Sequence, residues 1–395
     1  MNFLFEIVYI TAKVRGEKHV VRTFPHDVND LEYIVEVLHF VPKAGQWWIP
    51  YVLFLWLSIV VLAPFDLETM DSRKYEEELV PRITNLCKEC LNNTGKLRDA
   101  AALVLSKLVT RPDLVKKGLL TDTLAWLRDE YTTKLTEFNQ VFYLTGLLYA
   151  VYCIFKYGHR TELLPQIEPV FSVLFAEEKG NKEYIGNTIL TKLKVKLAQR
   201  IGLIYLKPKV AKWRYERGFR SLADNLLKAG GEEVKGGATT APPGEEEEEE
   251  DDEEANMERL EEILALLTKN LSNKDTSVRE SASKGVGRVT ARMSKENADL
   301  IIESLRELFD EQADDENAWH GGCLALAELC RRGLLRPELL KLFVPLLKPA
   351  LIYDINRGNH SVGQHVRDAA CYVVWSFARA YSPVVMKEHV ELLST

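Results

Sequence analysis

One pattern of apolar residues recurs along this chain of 395 residues and limits the folds that are open to it. Between Asp275 and Met293 the apolar or small residues fall at positions i, i+4, i+7, i+8, i+11 and i+15, which form one stripe along an amphipathic helix. The spacing is found in seven stretches, which start at Val52, Leu97, Leu144, Leu190, Val278, Trp319 and Val366. The copy that starts at Leu190 is weaker, because Lys194 stands at position i+4. Successive starts lie 45, 47, 46, 88, 41 and 47 residues apart, so one interval is doubled.

This period is typical of HEAT and armadillo repeats, in which each unit of two helices buries its apolar stripe only against its neighbours. The chain is therefore predicted to be all-α, a HEAT/armadillo-like α-solenoid in which helix pairs form a right-handed superhelix. Charged residues near the start of three helices favour HEAT: Asp275 with Arg279, Leu97–Asp99 and Val366–Asp368. We expect these charges to pair between neighbouring repeats as a ladder rather than to bind a partner.

The doubled interval marks an interruption of the repeats. Ala229–Glu254 is rich in Gly and Pro and then strongly acidic, so it is too polar and self-repelling to pack into a core. We expect HEAT repeats in residues 1–228, with one helix over Lys209–Lys228, a disordered acidic insertion in residues 229–256, and continuing HEAT repeats in residues 257–395. Solenoids need polar end caps and neither end has one, so we expect a segment of a longer protein, truncated at its C-terminus.

Charge is distributed unevenly along the chain. The net charge is −7, but Glu245–Glu254 alone contributes ten negative charges, so the rest of the chain carries +3. Lys192–Arg220 holds ten Lys or Arg residues against the single acid Glu216, with aromatic residues between them. Such a stretch attracts an acidic partner, protein or nucleic acid, through forces that salt weakens. The alternative is a solvated helix face, partly neutralised by the acidic insertion.

Eight residues of this basic stretch are the candidate partner-binding residues. They are Lys207, Lys209, Lys212, Trp213, Arg214, Tyr215, Arg217 and Arg220. Aromatic residues beside arginine contribute much of the binding energy at protein interfaces, so Trp213 and Tyr215 are the candidate anchors. Burial of Trp213 against the preceding helix is the alternative.

A charge-free run of nineteen residues, Trp47–Phe65, has to be weighed as a membrane span. Pro50 and Pro64 leave thirteen residues between them, about 20 Å of helix against roughly 30 Å of hydrocarbon. The run also falls in register with the repeats, which favours a buried solenoid helix. Six cysteines without a secretory pattern indicate a reducing compartment, with the cytosol as the default.

Motifs that would carry catalysis or bind a metal are weak. The chain has no phosphate loop, GxSxG, HExxH or paired CxxC motif. Cys87 and Cys90 form a lone CxxC in a helical run, so we interpret them as helix residues rather than as a zinc site. His320 and Cys323 share a helix face, where a thiol could meet an imidazole base. Because Cys323 is a stripe position beside Gly321–Gly322, close helix packing is favoured, and no catalytic, cofactor-binding or metal-binding residue is predicted.

Several runs, in order along the chain, carry a resemblance to a known family. They are YITAKVRG (Tyr9–Gly16), FPHDV (Phe24–Val28), LWLS followed by PFD (Leu55–Asp66), RDAAALVLSKLVTRPD (Arg98–Asp113), LKPKVAKWRYERGFRSL (Leu206–Leu222), AWHGGCLALAELCRRGLL (Ala318–Leu335) and VRDAACYVVWSFARAY (Val366–Tyr381). In these runs the chain resembles the tubulin-folding cofactor D family, also called tubulin-specific chaperone D. The likeness covers nearly the whole chain outside the acidic insertion. Family members are considerably longer, and the chain resembles their N-terminal part.

The resemblance implies a HEAT-repeat scaffold that binds β-tubulin in the cytoplasm, in association with the cytoskeleton. It implies that tubulin-folding cofactors E and C and an Arf-like small GTPase act with this scaffold to assemble and disassemble the αβ-tubulin heterodimer. Neither nucleic acid nor a membrane span is implied, and GTPase stimulation on tubulin is exerted jointly with the partner cofactors. Two other classes stay open: a generic HEAT-repeat adaptor of the nuclear-transport or phosphatase-scaffold type that binds an acidic protein, and an enzyme that uses His320 and Cys323.

Overall fold

The chain is almost entirely helical in the part that the computed structural model describes, residues 2–41, 45–72, 78–176, 181–215, 256–310, 315–357 and 360–393. Within those ranges β structure is confined to one antiparallel hairpin of two short strands, β1 (Ile355–Arg357) and β2 (His360–Val362), in which Ile355 pairs with Val362. The predicted all-α fold class is confirmed. The right-handed sense of the superhelix stays a prediction.

The chain forms two compact units, Met1–Arg200 and Ile201–Thr395. The division falls inside one long helix, Thr188–Tyr205, which belongs partly to each unit. The predicted block boundary at residue 228 and almost all of the predicted insertion lie outside the described residues. The division into repeats, insertion and repeats therefore stays a prediction.

The helices of the first unit are mostly between ten and eighteen residues long, as the repeat pattern requires. They are α1 (Asn2–Arg15), α2 (Glu17–Val21), α3 (Asp30–Phe40), α4 (Trp48–Val60), α5 (Leu79–Cys90), α6 (Lys96–Val109), α7 (Pro112–Lys116), α8 (Leu119–Lys134), α9 (Val141–Tyr157), α10 (Arg160–Leu163), α11 (Ile167–Phe171) and α12 (Thr188–Tyr205), which continues into the second unit. Short 3₁₀ helices occupy Leu67–Met70, Leu164–Gln166, Ser172–Leu174 and Lys182–Tyr184.

The second unit contains a further set of helices, most of them ten residues long or longer. Its further helices are α13 (Met257–Lys269), α14 (Thr276–Thr290), α15 (Lys295–Ser304), α16 (Glu316–Arg331), α17 (Leu340–Leu351), α18 (Gln364–Ala380), α19 (Pro383–Lys387) and α20 (Val390–Leu393). The hairpin of β1 and β2 connects α17 to α18. Short 3₁₀ helices occupy Asn270–Ser272, Leu305–Phe309 and Pro337–Leu339.

All seven predicted stripe helices are present. Their starts lie in α4, α6, α9, α12, α14, α16 and α18. Within the first unit α6 packs between α4 and α9, and within the second unit α16 packs between α14 and α18. Their stripe positions form the core: in α14, for example, Val278, Ala282, Val286 and Val289 are all inaccessible to solvent. Neighbouring repeats within each unit bury each other's apolar stripes, as the sequence predicts.

Aspartate caps explain where two of the stripe helices begin. A carboxylate oxygen of Asp275 accepts hydrogen bonds from the backbone N–H groups of Ser277 at 2.8 Å and Val278 at 3.3 Å. Asp315 caps α16 in the same way, by accepting from the N–H groups two and three residues further on. Each cap satisfies backbone donors that the first turn of a helix leaves unpaired and typically stabilises the helix by about 1 kcal/mol.

Arginines join the end of one stripe helix to the next. Arg111, just after α6, is buried and donates to three backbone carbonyls beyond the end of α4, those of Val61, Ala63 and Phe65. Arg292, just after α14, donates to the carbonyls of Leu203 at 2.5 Å and Leu206 at 3.2 Å at the end of α12. Carbonyl groups at and just beyond the end of a helix lack helical partners. These guanidinium groups therefore supply the hydrogen bonds that those carbonyls would otherwise miss.

The charged residues that favoured HEAT pair differently from the predicted ladder. Arg98 pairs with its neighbour Asp99 at 3.1 Å, and Arg367 lies 3.8 Å from Asp354 in the connection before its own helix. Arg279 does reach the next stripe helix, but the groups that accept its hydrogen bonds there are uncharged. The predicted ladder of opposite charges between repeats is therefore wrong for Arg98 and Arg367. Arg279 does interact electrostatically with Asp315 and Glu316 at the start of the next stripe helix.

Within the apolar run Trp47–Phe65, the helix α4 covers only Trp48–Val60. Pro50 lies in the first turn, where its missing N–H costs no helical hydrogen bond, so the helix begins before this proline. Ten of the thirteen residues of α4 are buried, which makes it a core helix of the first unit. No helix in the described parts of the chain is long and apolar enough to cross a membrane. The predicted buried repeat helix is confirmed.

Gly321 and Gly322 allow α16 to approach its neighbours closely. A Cβ atom on Gly321 would lie 1.9 Å from the carbonyl oxygen of Leu271, and one on Gly322 would lie 2.8 Å from the ring of Phe309. Cys323, the next residue, is fully buried. The predicted close helix packing at this point is confirmed.

Candidate partner-binding segment

Leu206–Tyr215 follows α12 without regular secondary structure. This stretch is called the docked segment, because it attaches to other helices of the second unit. Pro208 disfavours helical backbone at the residue before it, which explains why α12 ends at Tyr205. The helix predicted over Lys209–Lys228 is therefore wrong for residues 209–215, and residues 216–228 lie outside the described part of the chain.

Trp213 attaches the docked segment to the end of α14. Its indole Nε1 donates to the backbone carbonyl of Met293 at 3.3 Å, and the ring is half-buried. The guanidinium carbon of Arg336 lies 6.0 Å from the centre of the Trp213 ring, at the outer limit of a cation–π contact. Arg336 is itself held by two parallel bonds to Asp299, at 2.8 and 2.9 Å, which raise the pKa of the guanidinium.

Tyr215 attaches the segment at a second point, near the end of α16. Its backbone N–H donates to the carbonyl of Gly333 at 2.7 Å, and its ring lies 5.3 Å from the ring of Tyr381. Tyr381 is buried and donates its hydroxyl to the carbonyl of Leu335. Gly333 has a φ of 74°, and a Cβ there would lie 2.4 Å from the carbonyl oxygen of Tyr215. Both the backbone conformation and the close approach therefore require glycine at this position.

The structure places the other predicted site residues as follows. Lys207, Lys209 and Arg214 are half-buried in the docked segment, and Lys212 is exposed. Arg217 and Arg220 lie outside the described residues. The docked segment thus brings the remaining six candidates together on one short stretch of the second unit, and their binding role stays a prediction.

The earlier part of the basic stretch is less accessible than its charge suggests. Residues 192–200 belong to α12 in the first unit. Lys194 occupies a stripe position and is buried, and the ammonium of Lys196 lies 5.8 Å from the centre of the Tyr152 ring. The solvated helix face is therefore wrong for Lys194, which is buried, and for Leu206–Tyr215, which is not helical. Attraction of an acidic partner by this stretch stays a prediction.

Sequence reasoning missed the residues that hold the docked segment. Arg336, Asp299 and Tyr381 carry no local signal of this role, because their partners come from distant parts of the chain. Gly333 does carry a signal: it follows two arginines at the end of a stripe helix, where glycine commonly adopts a positive φ.

Two models of known protein families match this chain. A family model described as "Tubulin-specific chaperone D-like, ARM repeats" matches residues 189–395, which is more than half of the chain. A second, described as "Tubulin-specific chaperone D-like, ARM repeat", matches residues 1–131. The chain belongs to the tubulin-specific chaperone D-like family. The resemblance found in the sequence is confirmed, and the family description names armadillo repeats where the charged helix starts favoured HEAT.

Two members of the tubulin-specific chaperone D-like family illustrate the extent of the match. Tubulin-specific chaperone D of Dictyostelium discoideum is 34% identical over 400 residues, covering 92% of this chain and 26% of that protein. Tubulin-folding cofactor D of Schizosaccharomyces pombe is 27% identical over 412 residues, covering 100% of this chain and 34% of that protein. The chain therefore spans about a quarter of the length of the first relative and about a third of the length of the second.

A comparison with solved structures gives a weaker result. A crystal structure of an engineered protein aligns with a TM-score of 0.32 and 12% identity, covering 76% of this chain and 97% of that one. A score at this level carries no argument about the fold.

In this family member, His320 and Cys323 are not arranged for catalysis. Nδ1 of His320 accepts a hydrogen bond from Nε of Arg279 at 2.9 Å, so the lone pair that a base would use is occupied. Burial, together with the charge of Arg279, lowers the pKa of His320 to about 4. Burial raises the pKa of the Cys323 thiol to about 12. A protonated thiol beside an occupied imidazole is not an activated nucleophile.

The lone CxxC motif is part of the core. Cys87 and Cys90 are buried in α5, and burial raises the pKa of the Cys87 thiol well above its usual range. Their interpretation as helix residues is confirmed. Across the described residues, no group of three or more His, Cys, Asp or Glu side chains is placed to hold a metal ion.

Proposed function

We propose that this chain is a scaffold that binds β-tubulin as part of a tubulin-folding cofactor. The observation that carries the proposal is family membership over residues 189–395, supported by relatives named Tubulin-specific chaperone D and Tubulin-folding cofactor D. With cofactors E and C and an Arf-like small GTPase, the scaffold would support assembly and disassembly of the αβ-tubulin heterodimer. Its place would be the cytoplasm, in association with the cytoskeleton.

The proposed role is binding, without a catalytic site in this chain. Stacked helices present long ridges of side chains to a partner, which suits recognition of a large protein surface. The candidate pair His320 and Cys323 supports this proposal, because the imidazole is held by Arg279 and the thiol stays protonated. Any GTPase stimulation would then arise jointly with the partner cofactors.

The docked segment is the proposed contact for an acidic surface of the partner. Its three lysines and Arg214 carry positive charge, and the exposed parts of the Trp213 and Tyr215 rings lie beside them. Because both rings are already fixed by Met293 and Tyr381, they could contact a partner without a further loss of side-chain freedom.

Reconstitution with purified proteins tests the proposal. The tagged chain is mixed with purified αβ-tubulin, with and without cofactors E and C and the GTPase, and complexes are separated by size-exclusion chromatography. We expect tubulin to co-elute with the chain, and mass spectrometry of a parallel pull-down from cytosol to recover tubulin and an Arf-like GTPase. Recovery of importin cargo or phosphatase subunits, with no binding of purified tubulin, would favour the generic adaptor instead.

A further inference from the structure

A second surface of the second unit combines arginine with exposed aromatic rings. The arginine–aromatic cluster consists of Arg331 and Arg332 at the end of α16 and Tyr372, Trp375 and Arg379 on α18. These two stripe helices pack side by side, so the cluster is assembled by their contact and contains no residue of the docked segment.

The two rings of the cluster are stacked. Tyr372 and Trp375 have ring centres 5.8 Å apart and planes inclined by only 16°. Half of the Trp375 surface is exposed to solvent, whereas Val373 and Phe377 on the opposite face of the helix are fully buried. The repeat stripe therefore does not account for Trp375. Aromatic side chains are enriched at protein interaction sites, so Trp375 is a candidate contact residue.

Arginines flank this stack on both sides. Nη1 of Arg331 donates to the hydroxyl of Tyr372 at 2.6 Å, and the guanidinium carbon lies 6.0 Å from the Tyr372 ring centre. The guanidinium carbon of Arg379 lies 5.5 Å from the centre of the Trp375 ring. Contacts with the rings hold each planar guanidinium in place, and about half of the Arg331 side chain is still exposed. Such pre-ordered arginines are suited to bidentate recognition of carboxylates.

Positive charge exceeds negative charge in this cluster. Glu328 contacts both Arg331, at 3.5 Å, and Arg332, at 2.5 Å, so one carboxylate faces two guanidinium groups. Arg379 adds a third positive charge, and Asp368, one turn before Tyr372 on α18, adds a second negative charge. The cluster therefore carries a net charge of about +1 at neutral pH.

We propose that the arginine–aromatic cluster binds an extended acidic polypeptide segment of a partner protein. Carboxylates of the segment would pair with Arg331 and Arg379, while its apolar atoms would cover Trp375 between them. A polypeptide fits better than nucleic acid, because tight binding to phosphates needs many neutralised charges and a stacking groove, and this cluster offers two or three. The proposal does not depend on tubulin as the partner and concerns residues outside the docked segment.

A synthetic glutamate decamer with a fluorescent label is the probe. Its affinity for the full chain is measured by fluorescence anisotropy at low and physiological salt, with a serine decamer as the reference peptide. The test variant is the double substitution R331Q/R379Q, and W375A tests the stacked ring. The matched control is K341Q/K348Q, which removes two positive charges from exposed positions of α17. Circular dichroism and thermal unfolding establish that each variant is folded.

Cys371 offers an independent report on where the peptide binds. It is exposed on α18 beside Tyr372, whereas the other five cysteines are buried. The rate of its reaction with a maleimide is therefore a local footprint of the cluster. We expect the glutamate decamer to slow this reaction in the parent chain and to leave it unchanged in R331Q/R379Q.

The affinity comparison decides the proposal together with the footprint. We expect R331Q/R379Q to weaken binding by about tenfold, W375A by a few fold, and K341Q/K348Q by less than about twofold. An equal loss in R331Q/R379Q and K341Q/K348Q would show general charge attraction and overturn the proposal. So would an unprotected Cys371, a failure of the parent chain to distinguish glutamate from serine peptides, or tighter binding of a single-stranded oligonucleotide of the same length. Tubulin binding by R331Q/R379Q is measured separately, so loss of the peptide site and loss of the proposed function are distinguishable.

Discussion

Nε of Arg279 lies 2.9 Å from Nδ1 of His320, and this hydrogen bond joins the stripe helices α14 and α16. Arg279 also donates to the side-chain oxygen of Asn317 at 2.6 Å and to the backbone carbonyl of Asn273 at 2.6 Å. Because arginine can only donate, Nδ1 of His320 must carry a lone pair, and the folded protein therefore favours the neutral imidazole.

Acidification should weaken the fold through His320. Its pKa is about 4 in the folded chain and about 6.5 in the unfolded chain, so the unfolded state binds more protons between these values. The stabilisation is complete above about pH 6.5 and is lost as the pH falls towards 4, by on the order of 1–2 kcal/mol at pH 5. Urea unfolding at pH 7 and pH 5 measures this loss.

The control for this titration is H320Q, which keeps an acceptor for Arg279 but carries no titrating group. We expect it to lose less stability than the parent chain between pH 7 and pH 5, and an equal loss would contradict the assignment to His320. H320A leaves Arg279 without this acceptor and should destabilise the fold by about 1–3 kcal/mol at pH 7. It should abolish no chemical activity; a turnover that disappeared in both H320A and C323S would argue against the scaffold.

Replacing Gly321 by alanine should destabilise the second unit strongly. The new methyl would lie 1.9 Å from the carbonyl oxygen of Leu271, so α16 has to move away from backbone that cannot adjust by rotation. We expect a loss of about 2–4 kcal/mol in the free energy of unfolding, measured by urea titration. G287A is the control, since its methyl would meet the side chains of Arg332 and Glu328. Similar losses in the two variants would contradict the close approach.

Attachment of the docked segment should depend on Gly333. Both Gly333 and Gly186 have φ near 75°, but a Cβ on Gly186 meets no atom within 4 Å, whereas one on Gly333 meets Tyr215. The variant G186A should therefore lose only about 1 kcal/mol in the free energy of unfolding, because alanine is strained at this positive φ. We expect G333A to lose about 1–2 kcal/mol more, together with faster hydrogen exchange of the Tyr215 amide. Equal losses and an unchanged Tyr215 amide would show that the segment is attached elsewhere.

Reversing charge in the docked segment should slow association with the acidic partner. Lys209, Lys212 and Arg214 are changed together to glutamate, and association with purified tubulin is followed by surface plasmon resonance at two ionic strengths. We expect a slower association rate and a flatter salt dependence, because charges at the edge of an interface act mainly on the encounter.

The control for charge reversal changes three exposed lysines of the second unit to glutamate, Lys269, Lys295 and Lys348. This variant has the same net charge and should associate nearly as fast as the parent chain. If the two variants and the parent, all folded by circular dichroism, associate at equal rates, the docked segment has no part in binding.

Deleting residues 229–254 should leave the melting temperature nearly unchanged. The residues lie outside the described part of the chain, and the expectation rests on their composition and on the slow growth of loop-closure entropy with loop length. Differential scanning calorimetry of the parent and the deletion variant measures the difference. A decrease of several degrees would show that the acidic insertion contributes to the folded core.

The conformation and the contacts of the docked segment could not be predicted from the sequence. Charge and aromatic content identified its residues, but not their conformation or their neighbours. Trp213 bonds to a carbonyl 80 positions away, and Tyr215 meets Gly333 and Tyr381 on other helices. Those contacts exist because the ends of successive stripe helices lie together, which no local pattern in Leu206–Tyr215 encodes.

The sequence by itself determined the seven stripe helices, their buried faces and the family. Helical periodicity and aspartate caps are local properties, so the stripe starting at Val278 and the cap at Asp275 could be read directly from the chain. Only the tertiary structure decided which polar groups meet across the repeats. Arg279 with His320, and Arg331 with Tyr372, are each 41 positions apart, close to one repeat, and their pairing depends on the register with which neighbouring helices stack. The spacing of a stripe determines which face of a helix is buried. Which polar side chains meet depends on the neighbouring helix against which that face packs.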